Sequence, residues 1–204
     1  MHSVLFEASA VTPSKIVCVG RNYVAHIREL GNEIPADMVV FNKPNSAISR
    51  QLRAQVDGET LHYESEIALL IKGGDIAGVG FGLDLTRREL QSSLKQRGLP
   101  WERAKAFDGA ALFSDFVPAP AAIDSLSLRL SVDGELRQAG GVPLMIYPPA
   151  RILEELRRFT TLEDGDIVMT GTPEGVGAIR SGQLFHGSLL QGERELVSAT
   201  WRAL

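Results

Sequence analysis

The chain has 204 residues, 44% of them hydrophobic and 23% charged, with a formal net charge of −4. A chain of this length can bury roughly 70% of its unfolded surface in one core, and its acidic balance argues against a nucleic-acid partner. No apolar run approaches the roughly 18 residues of a membrane span, and Cys18, the single cysteine, allows no internal disulfide. The N-terminus lacks the basic and long apolar regions of a signal peptide, so a soluble, cytoplasmic, single-domain protein over residues 1–204 is expected.

Lys15-Ile16-Val17-Cys18-Val19 reads as a short apolar strand closed by Gly20, with Cys18 an inert buried thiol. Arg21-Asn22-Tyr23 leads into a short helix, with Asn22 as N-cap and Gly31 as its stop. Tyr23, Ile27 and Leu30 form its apolar stripe. His26 and Glu29, three apart, are neighbours on another face. Such a pair can take a proton from water, although an exposed helix also carries one without function. Residues 33–57 are loop-rich, broken by Pro35 and Pro44, with a short strand over Met38–Asn42. Lys43 there has no distinguishing spacing.

Leu61–Ile71 reads as the strand around which the chain is organised. Leu61, Tyr63, Ile67, Leu69 and Ile71 share one face by period two, and His62, Glu64 and Glu66 share the other. Carboxylates two apart on a strand point the same way, with Cβ atoms roughly 7 Å apart. Like charges so close repel unless water or a cation lies between them, and a hard cation such as Mg²⁺ or Mn²⁺ suits oxygen ligands. A solvated strand face carries the same pattern.

Gly78–Leu85 is the next strand, with Val79, Phe81, Leu83 and Leu85 on the buried face and Gly78, Gly80, Gly82 and Asp84 on the other. The glycines permit close approach of backbone or ligand, or mark a bulged or twisted strand. Asp84 sits where strand gives way to helix, as a functional carboxylate or a turn residue. Thr86-Arg87-Arg88-Glu89 has the form of a capping box, predicting a helix to about Arg97 that stops at Gly98-Leu99-Pro100. Leu90 and Leu94 point inward; Arg88, Gln91 and Lys95 line a polar face, by default a solvated one. Trp101 and Phe107 anchor the following segment, and Lys105 is either a surface lysine or a partly buried carboxylate partner.

Leu126, Leu128, Leu130 and Val132 alternate up to Asp133-Gly134, and Leu136 resumes beyond, which predicts a β-hairpin. Pro148-Pro149 opens a helix with Ile152, Leu153, Leu156 and Phe159 inward. Asp166–Thr170 is a strand, followed by the loop Gly171-Thr172-Pro173-Glu174-Gly175-Val176-Gly177. That loop can offer backbone N–H groups and a hydroxyl to an anion, or be a plain turn. It lacks the ending of a nucleotide-binding P-loop. Residues 183–202 read as two closing strands joined at Gln191-Gly192.

From about Lys15 to the C-terminus the chain resembles the fumarylacetoacetate hydrolase family. The resemblance is carried by Gly20-Arg21-Asn22-Tyr23 with His26, Tyr63-Glu64-Ser65-Glu66, Leu83-Asp84-Leu85-Thr86, Gly98-Leu99-Pro100-Trp101 with Ala104-Lys105, Met145-Ile146, and Gly165-Asp166-Ile167 leading into the glycine-rich loop. It implies an α+β, β-rich fold: a mixed β-sheet sandwich or roll with short peripheral helices, usually a homodimer, holding Mg²⁺ or Mn²⁺. Glu64, Glu66 and Asp84 match the family's metal ligands. His26 and Glu29 match a water-activating pair on a lid, here about residues 22–35. Lys105 and Gln91 match polar active-site residues, Thr172 the hydroxyl that seats a substrate carboxylate, and Arg21 and Arg88 substrate or supporting residues.

The length fits the short branch of that family, and the leading expectation is a Mg²⁺-dependent acylpyruvate hydrolase or oxaloacetate decarboxylase, with an isomerase/decarboxylase or oxaloacetate tautomerase of aromatic-acid breakdown, or a non-catalytic metal-stabilised binding protein, as alternatives. The implied partner is a small 2-oxo or 2,4-dioxo acid. C–C hydrolysis and decarboxylation both pass through a pyruvate enolate that a metal stabilises, and proton removal alone gives keto–enol isomerisation. Two departures bear on the substrate: Val142-Pro143-Leu144 stands where relatives often carry Thr or Ser, and Glu174 puts a negative charge in the anion-holding loop.

Overall fold

Four sheets and a few short helices make up the computed structural model, which describes residues 1–204. Its spine is a seven-stranded sheet in the order Ala111–Phe113, Asp75–Asp84, Ser65–Lys72, Ile167–Met169, Lys15–Gly20, Val39–Pro44, with Val117–Pro118 beside the far end of Asp75–Asp84. Ile167–Met169 runs parallel to Lys15–Gly20 and antiparallel to Ser65–Lys72, so the sheet is mixed. A four-stranded antiparallel sheet, ordered Glu135–Gly141, Leu126–Val132, Leu184–Gln191, Arg194–Arg202, packs on one face. No helix is long and apolar enough to cross a membrane.

The central strand explains the layering. Ile67, Leu69 and Ile71 enter the larger core with Leu126, Leu128 and Leu130 of the second sheet. Ala68 and Leu70 enter a smaller core on the opposite face with Ile16, Cys18, Ile167 and Met169. The hairpin Val4–Phe6 and Ser9–Val11 contributes Val4, Phe6 and Val11 to that second core. A strand covered on both faces is apolar throughout, as this one is from Ile67 to Ile71. Cys18 is fully buried, and burial raises its thiol pKa well above the ordinary value, so it is inert.

The organising strand differs from its expected extent. It breaks at Glu64 into Glu59–Tyr63 and Ser65–Lys72, which belong to different sheets. Glu59–Tyr63 pairs with Gln55–Val56, Thr86–Arg87 and Gly177–Ala178. Period two still holds across the break, because Leu61 and Tyr63 also enter the larger core. The glycine face of Asp75–Asp84 serves packing: a Cβ at Gly78 would lie 2.9 Å from the Phe6 ring, and one at Gly82 3.0 Å from Met169 Cε. Phe6, Phe113, Phe116 and Met169 occupy the space these glycines leave.

Three local expectations are corrected. Asn22 does not cap the helix Val24–Glu29; its side chain instead bonds Thr170 O, Tyr147 O and the Tyr147 N–H. Thr86 does not form a capping box, because the chain is still extended at Thr86–Arg87 and the helix starts at Arg88; Glu59 Oε1 accepts the Leu90 N–H instead. Phe159 is exposed, since its helix, Pro149–Leu156, ends before the apolar stripe reaches it. The hairpin turn stands as expected, with φ of 53° at Asp133 and 82° at Gly134, the left-handed pair of a type I′ turn.

Asp166 joins the one parallel step. Its buried carboxylate accepts from Ser14 N and Oγ, Lys15 N and Nζ, and Glu163 N at 2.6–3.1 Å. Burial alone would raise its pKa; the bonds from Lys15 and Ser14 outweigh that and hold it below the ordinary value. A depressed folded pKa adds stability above the unfolded value of about 4, lost as pH falls through the folded pKa. Asp166→Ala should cost ~3–5 kcal/mol in denaturant unfolding. Wild type should lose stability below about pH 4 more steeply than Asp166→Asn does.

Candidate active site

Glu64 lies at the strand break and Glu66 two residues on, both on the face of the smaller core. Asp84 ends the neighbouring strand, and its N–H donates to Glu64 O at 2.8 Å, bringing the third carboxylate alongside. Glu64, Glu66 and Asp84 each offer an oxygen within 4.8 Å of the other two, and all three are buried. Repulsion in such a cluster must be answered locally.

Three cations answer most of it. Lys105, on the short helix Glu102–Lys105, is buried with Nζ 2.9 Å from Glu64 Oε2, 2.7 Å from Asp84 Oδ2 and 2.6 Å from Thr86 Oγ1. An ammonium has three donors, so Lys105 is fully engaged as a counterion rather than free to meet a substrate oxyanion. Arg88 Nη2 bonds Glu64 Oε1, and its Nη1 donates to Gln91 Oε1 at 2.8 Å. Lys43 Nζ lies 2.7 Å from Asp84 Oδ1. For Glu64, burial raises the pKa but Lys105 and Arg88 carry it well below the ordinary value. Lys105 shifts the opposite way: burial lowers its pKa, and Asp84 and Glu64 more than restore it.

Glu66 is the exception. It has no cation of its own, and its Oε2 accepts the Gly171 N–H at 2.7 Å. Burial, then the charges of Asp84 and Glu64, push its pKa well above the ordinary value. Asp84 Oδ1 is buried without a hydrogen bond, because Lys43 is near it but out of line. An under-compensated, all-oxygen cluster suits a hard divalent cation, and Glu64, Glu66 and Asp84 are the residues that fit Mg²⁺ or Mn²⁺.

His26 is buried on the cavity wall, with Nδ1 3.1 Å from Glu29 Oε2. If a neutral imidazole donates there, Nε2 remains as proton acceptor. Glu29 itself stands outside the cavity lining, and its Oε1 accepts the Gly175 N–H at 2.9 Å. The glycine-rich loop therefore does hold anions, but those held here are the protein's own Glu66 and Glu29. Gly175 has φ 94°, and a Cβ there would come within 2.0 Å of Arg137 O, so glycine is required.

Arg21, His26, Glu64, Glu66, Asp84, Arg88, Gln91, Lys105 and Thr172 line one cavity, with Lys95, Asn32, Phe41 and Trp101. The face of helix Arg88–Gln96 expected to be solvated is the one that faces this cavity. Lys95 Nζ lies 4.9 Å from the Trp101 ring centroid. Burial, then Arg21 and Arg88, lower its pKa to about 8. His62 lies outside the lining, its pKa lowered by burial and then by Arg88. Neither departure reaches the cavity: Glu174 is exposed, and Val142–Leu144 forms a short 3₁₀ turn elsewhere.

Two residues escaped the reading of the sequence. Lys43 is fully buried, and its only signal was a strand position in phase with Phe41. Gln138 is buried, with Oε1 accepting the Ser65 N–H between the two glutamates and Nε2 donating to Thr172 Oγ1 and Pro173 O, each at 2.9 Å. The hairpin pairs Leu130 with Gln138 and Ser131 with Leu136. The resulting bulge reverses strand phase at Arg137, turning Gln138 in and Leu136 out.

Comparison with known proteins places this arrangement. Residues 15–200 match the fumarylacetoacetate (FAA) hydrolase C-terminal family. The chain is 41% identical over 186 residues to the oxaloacetate tautomerase YcgM of Escherichia coli, covering 83% of this chain and 85% of that protein. It is 37% identical over 190 residues to the mitochondrial oxaloacetate decarboxylase of Dictyostelium discoideum, covering 85% and 87%. The crystal structure of fumarylpyruvate hydrolase from Pseudomonas aeruginosa, in complex with Mn²⁺ and pyruvate, matches with a TM-score of 0.87 at 33% identity, over 100% of this chain and 95% of that one. The β-rich fold with few short helices is the class expected, and the chain belongs to the FAA hydrolase C-terminal family.

Mg²⁺ or Mn²⁺ should raise the melting temperature, since an ion that binds only the folded state stabilises it. Burial and the neighbouring carboxylates favour the protonated form of Glu66 while an ion favours its carboxylate, so the rise should grow with pH, and Glu66→Gln should remove it. Lys105→Met leaves Glu64 and Asp84 short of a cation and should cost ~3–5 kcal/mol in urea unfolding. Mg²⁺ should recover more stability in that variant than in wild type.

Proposed function

We propose that the chain is an enzyme of short 2-oxo acids that uses Mg²⁺ or Mn²⁺ and passes through a pyruvate-type enolate. The carrying observation is the convergence of Glu64, Glu66 and Asp84 in one buried cavity beside His26, which Glu29 orients. The names of the relatives, an oxaloacetate tautomerase, an oxaloacetate decarboxylase and a fumarylpyruvate hydrolase, support this substrate class. Glu64, Glu66 and Asp84 would hold the cation, which supplies Lewis-acid stabilisation of negative charge on a substrate oxygen.

The chain's own groups supply the rest. His26 accepts a proton at Nε2, and Glu29 stabilises the imidazolium. Thr172 Oγ1 accepts from Gln138, and its O–H, held only by a long 3.4 Å bond to Pro173 O, can turn to donate to a substrate carboxylate. Lys105, Lys43 and Arg88 keep the carboxylates ionised and apart. The helix Val24–Glu29 closes over the cavity as a lid latched by Glu29 on Gly175 and excludes bulk water.

Three reactions share such an enolate and differ in their need for a base. Hydrolysis of an acylpyruvate needs an activated water, and tautomerisation of oxaloacetate needs a proton moved at C3. Decarboxylation of oxaloacetate needs neither. At saturating Mg²⁺, Glu29→Gln should therefore slow acetylpyruvate hydrolysis and oxaloacetate tautomerisation by roughly 10²–10⁴-fold, and decarboxylation much less. Equal losses in all three would make the pair a latch alone, and wild-type inactivity on both acids with Mg²⁺ or Mn²⁺ would overturn the proposal.

A further inference from the structure

Asn22 is fully buried yet stands outside the cavity lining, and its side chain does not cap the helix that follows it. Both donors and the acceptor of its amide are engaged. Nδ2 donates to Thr170 O at 2.8 Å and to Tyr147 O at 2.9 Å, and Oδ1 accepts the Tyr147 N–H at 2.7 Å. The Asn22 carbonyl accepts the Ile146 N–H at 2.8 Å. One residue thus ties the base of the lid to segments 125 and 148 positions away. The second of these leads straight to the carboxylate cluster.

Thr170 O and the Gly171 N–H belong to one planar peptide group and point to opposite sides of it. Asn22 holds the carbonyl end, and Glu66 Oε2 accepts from the N–H end at 2.7 Å. That bond is the only hydrogen bond of the Glu66 side chain. Thr170 lies beyond the strand Ile167–Met169, so strand pairing does not set which way this peptide faces. Gly171, at φ 96°, lets it turn either way, and a flipped peptide would aim the Thr170 carbonyl oxygen at the Glu66 carboxylate. A Cβ on Gly171 would lie 2.8 Å from Asn22 Cβ, so the asparagine is packed directly against the peptide it bonds.

We infer that Asn22 is a positioning residue for the metal site: its bond to Thr170 O keeps the Thr170–Gly171 peptide turned so that the Gly171 N–H holds Glu66 in place as a ligand. The inference rests on the metal reading of Glu64, Glu66 and Asp84 and deepens it by naming a residue outside the cavity on which the affinity depends. A donor on the peptide carbonyl also polarises the group and strengthens the bond at its N–H. Partners that orient metal ligands from behind are typically worth 10- to 100-fold in affinity. An asparagine that merely stapled three segments together would change the stability of the fold and leave the affinity of the folded protein alone.

The test pairs calorimetric titration of the whole chain with Mn²⁺, below each variant's melting temperature, with the Gly171 amide proton resonance recorded without metal. Asn22→Ala should weaken Mn²⁺ binding by roughly 10- to 100-fold. It should also move the Gly171 amide proton upfield and speed its exchange, while the amides of Ile67–Ile71 keep their protection. Asn22→Ser, whose hydroxyl replaces only part of the amide's bonding, should lie between Asn22→Ala and wild type. If Asn22→Ala does not fold, Asn22→Ser carries the test and must still bind Mn²⁺ more weakly than wild type. Asp166→Asn, which loosens the other end of the same strand, should lower the melting temperature and keep the wild-type affinity to within about threefold. Folded Asn22 variants that bind Mn²⁺ as wild type does, or that lose no more affinity than Asp166→Asn, would overturn the positioning role and leave the metal reading standing. A wild type that binds no Mn²⁺ would overturn the metal reading and the positioning role with it.

Discussion

Three carboxylates buried within 4.8 Å of one another are the constraint to which the surrounding structure responds. At an effective dielectric of about 20, two unit charges 4 Å apart interact by about 4 kcal/mol. No small domain with a net stability of roughly 5–15 kcal/mol tolerates that uncompensated. Each neighbouring element contributes a positive or donating group. Val39–Pro44 supplies Lys43, Glu102–Lys105 supplies Lys105, Arg88–Gln96 supplies Arg88, and the glycine-rich loop supplies the Gly171 N–H. The two helices follow one another in the chain, whereas Val39–Pro44 and the glycine-rich loop come to the cluster from distant parts of the sequence.

The compensation is uneven, and the unevenness bears on the chemistry. Glu64 is over-supplied and stays ionised, whereas Glu66 is under-supplied and leans toward protonation. A cluster that is neither neutral enough to be inert nor charged enough to fly apart is receptive to a hard cation. Rigidity comes from the sheets: Glu66 and Asp84 sit on central strands buried on both faces, and Gln138 reaches from the second sheet to hold the break at Ser65. His26 instead rides on a six-residue helix held to the loop through Glu29. Ligands on rigid strands and a base on a small helix are a division that separates binding from access.

Much of this was legible from local patterns. Period two found the strand faces, Asp133-Gly134 found its hairpin, and the motifs gave the family, whose resemblance proposed Glu64, Glu66 and Asp84 as a set, three carboxylates that the fold brings together. These signals are local or nearly so: side-chain direction follows from backbone period, and turn residues follow from φ. The break at Glu64 was hidden because alternation continues through it. The failed capping box at Thr86 had the right residues, but Lys105 claimed the hydroxyl and strand pairing claimed the backbone.

By itself the sequence determined which residue types lie on which face of each strand, where the hairpin turns, and which carboxylates point together. Only the tertiary structure decided which charges are buried and with whom. It turned the polar face of Arg88–Gln96 into a cavity wall and made Lys43 and Gln138 part of the site. It also spent the glycine-rich loop's N–H groups on Glu66 and Glu29. The physical reason is that a side chain's direction is set by its neighbours in sequence, whereas its electrostatic surroundings are set by elements that may be a hundred residues away. Lys43 and Asp84 are 41 positions apart and Gln138 and Ser65 are 73 apart, and no periodicity in one strand reports its partner in another.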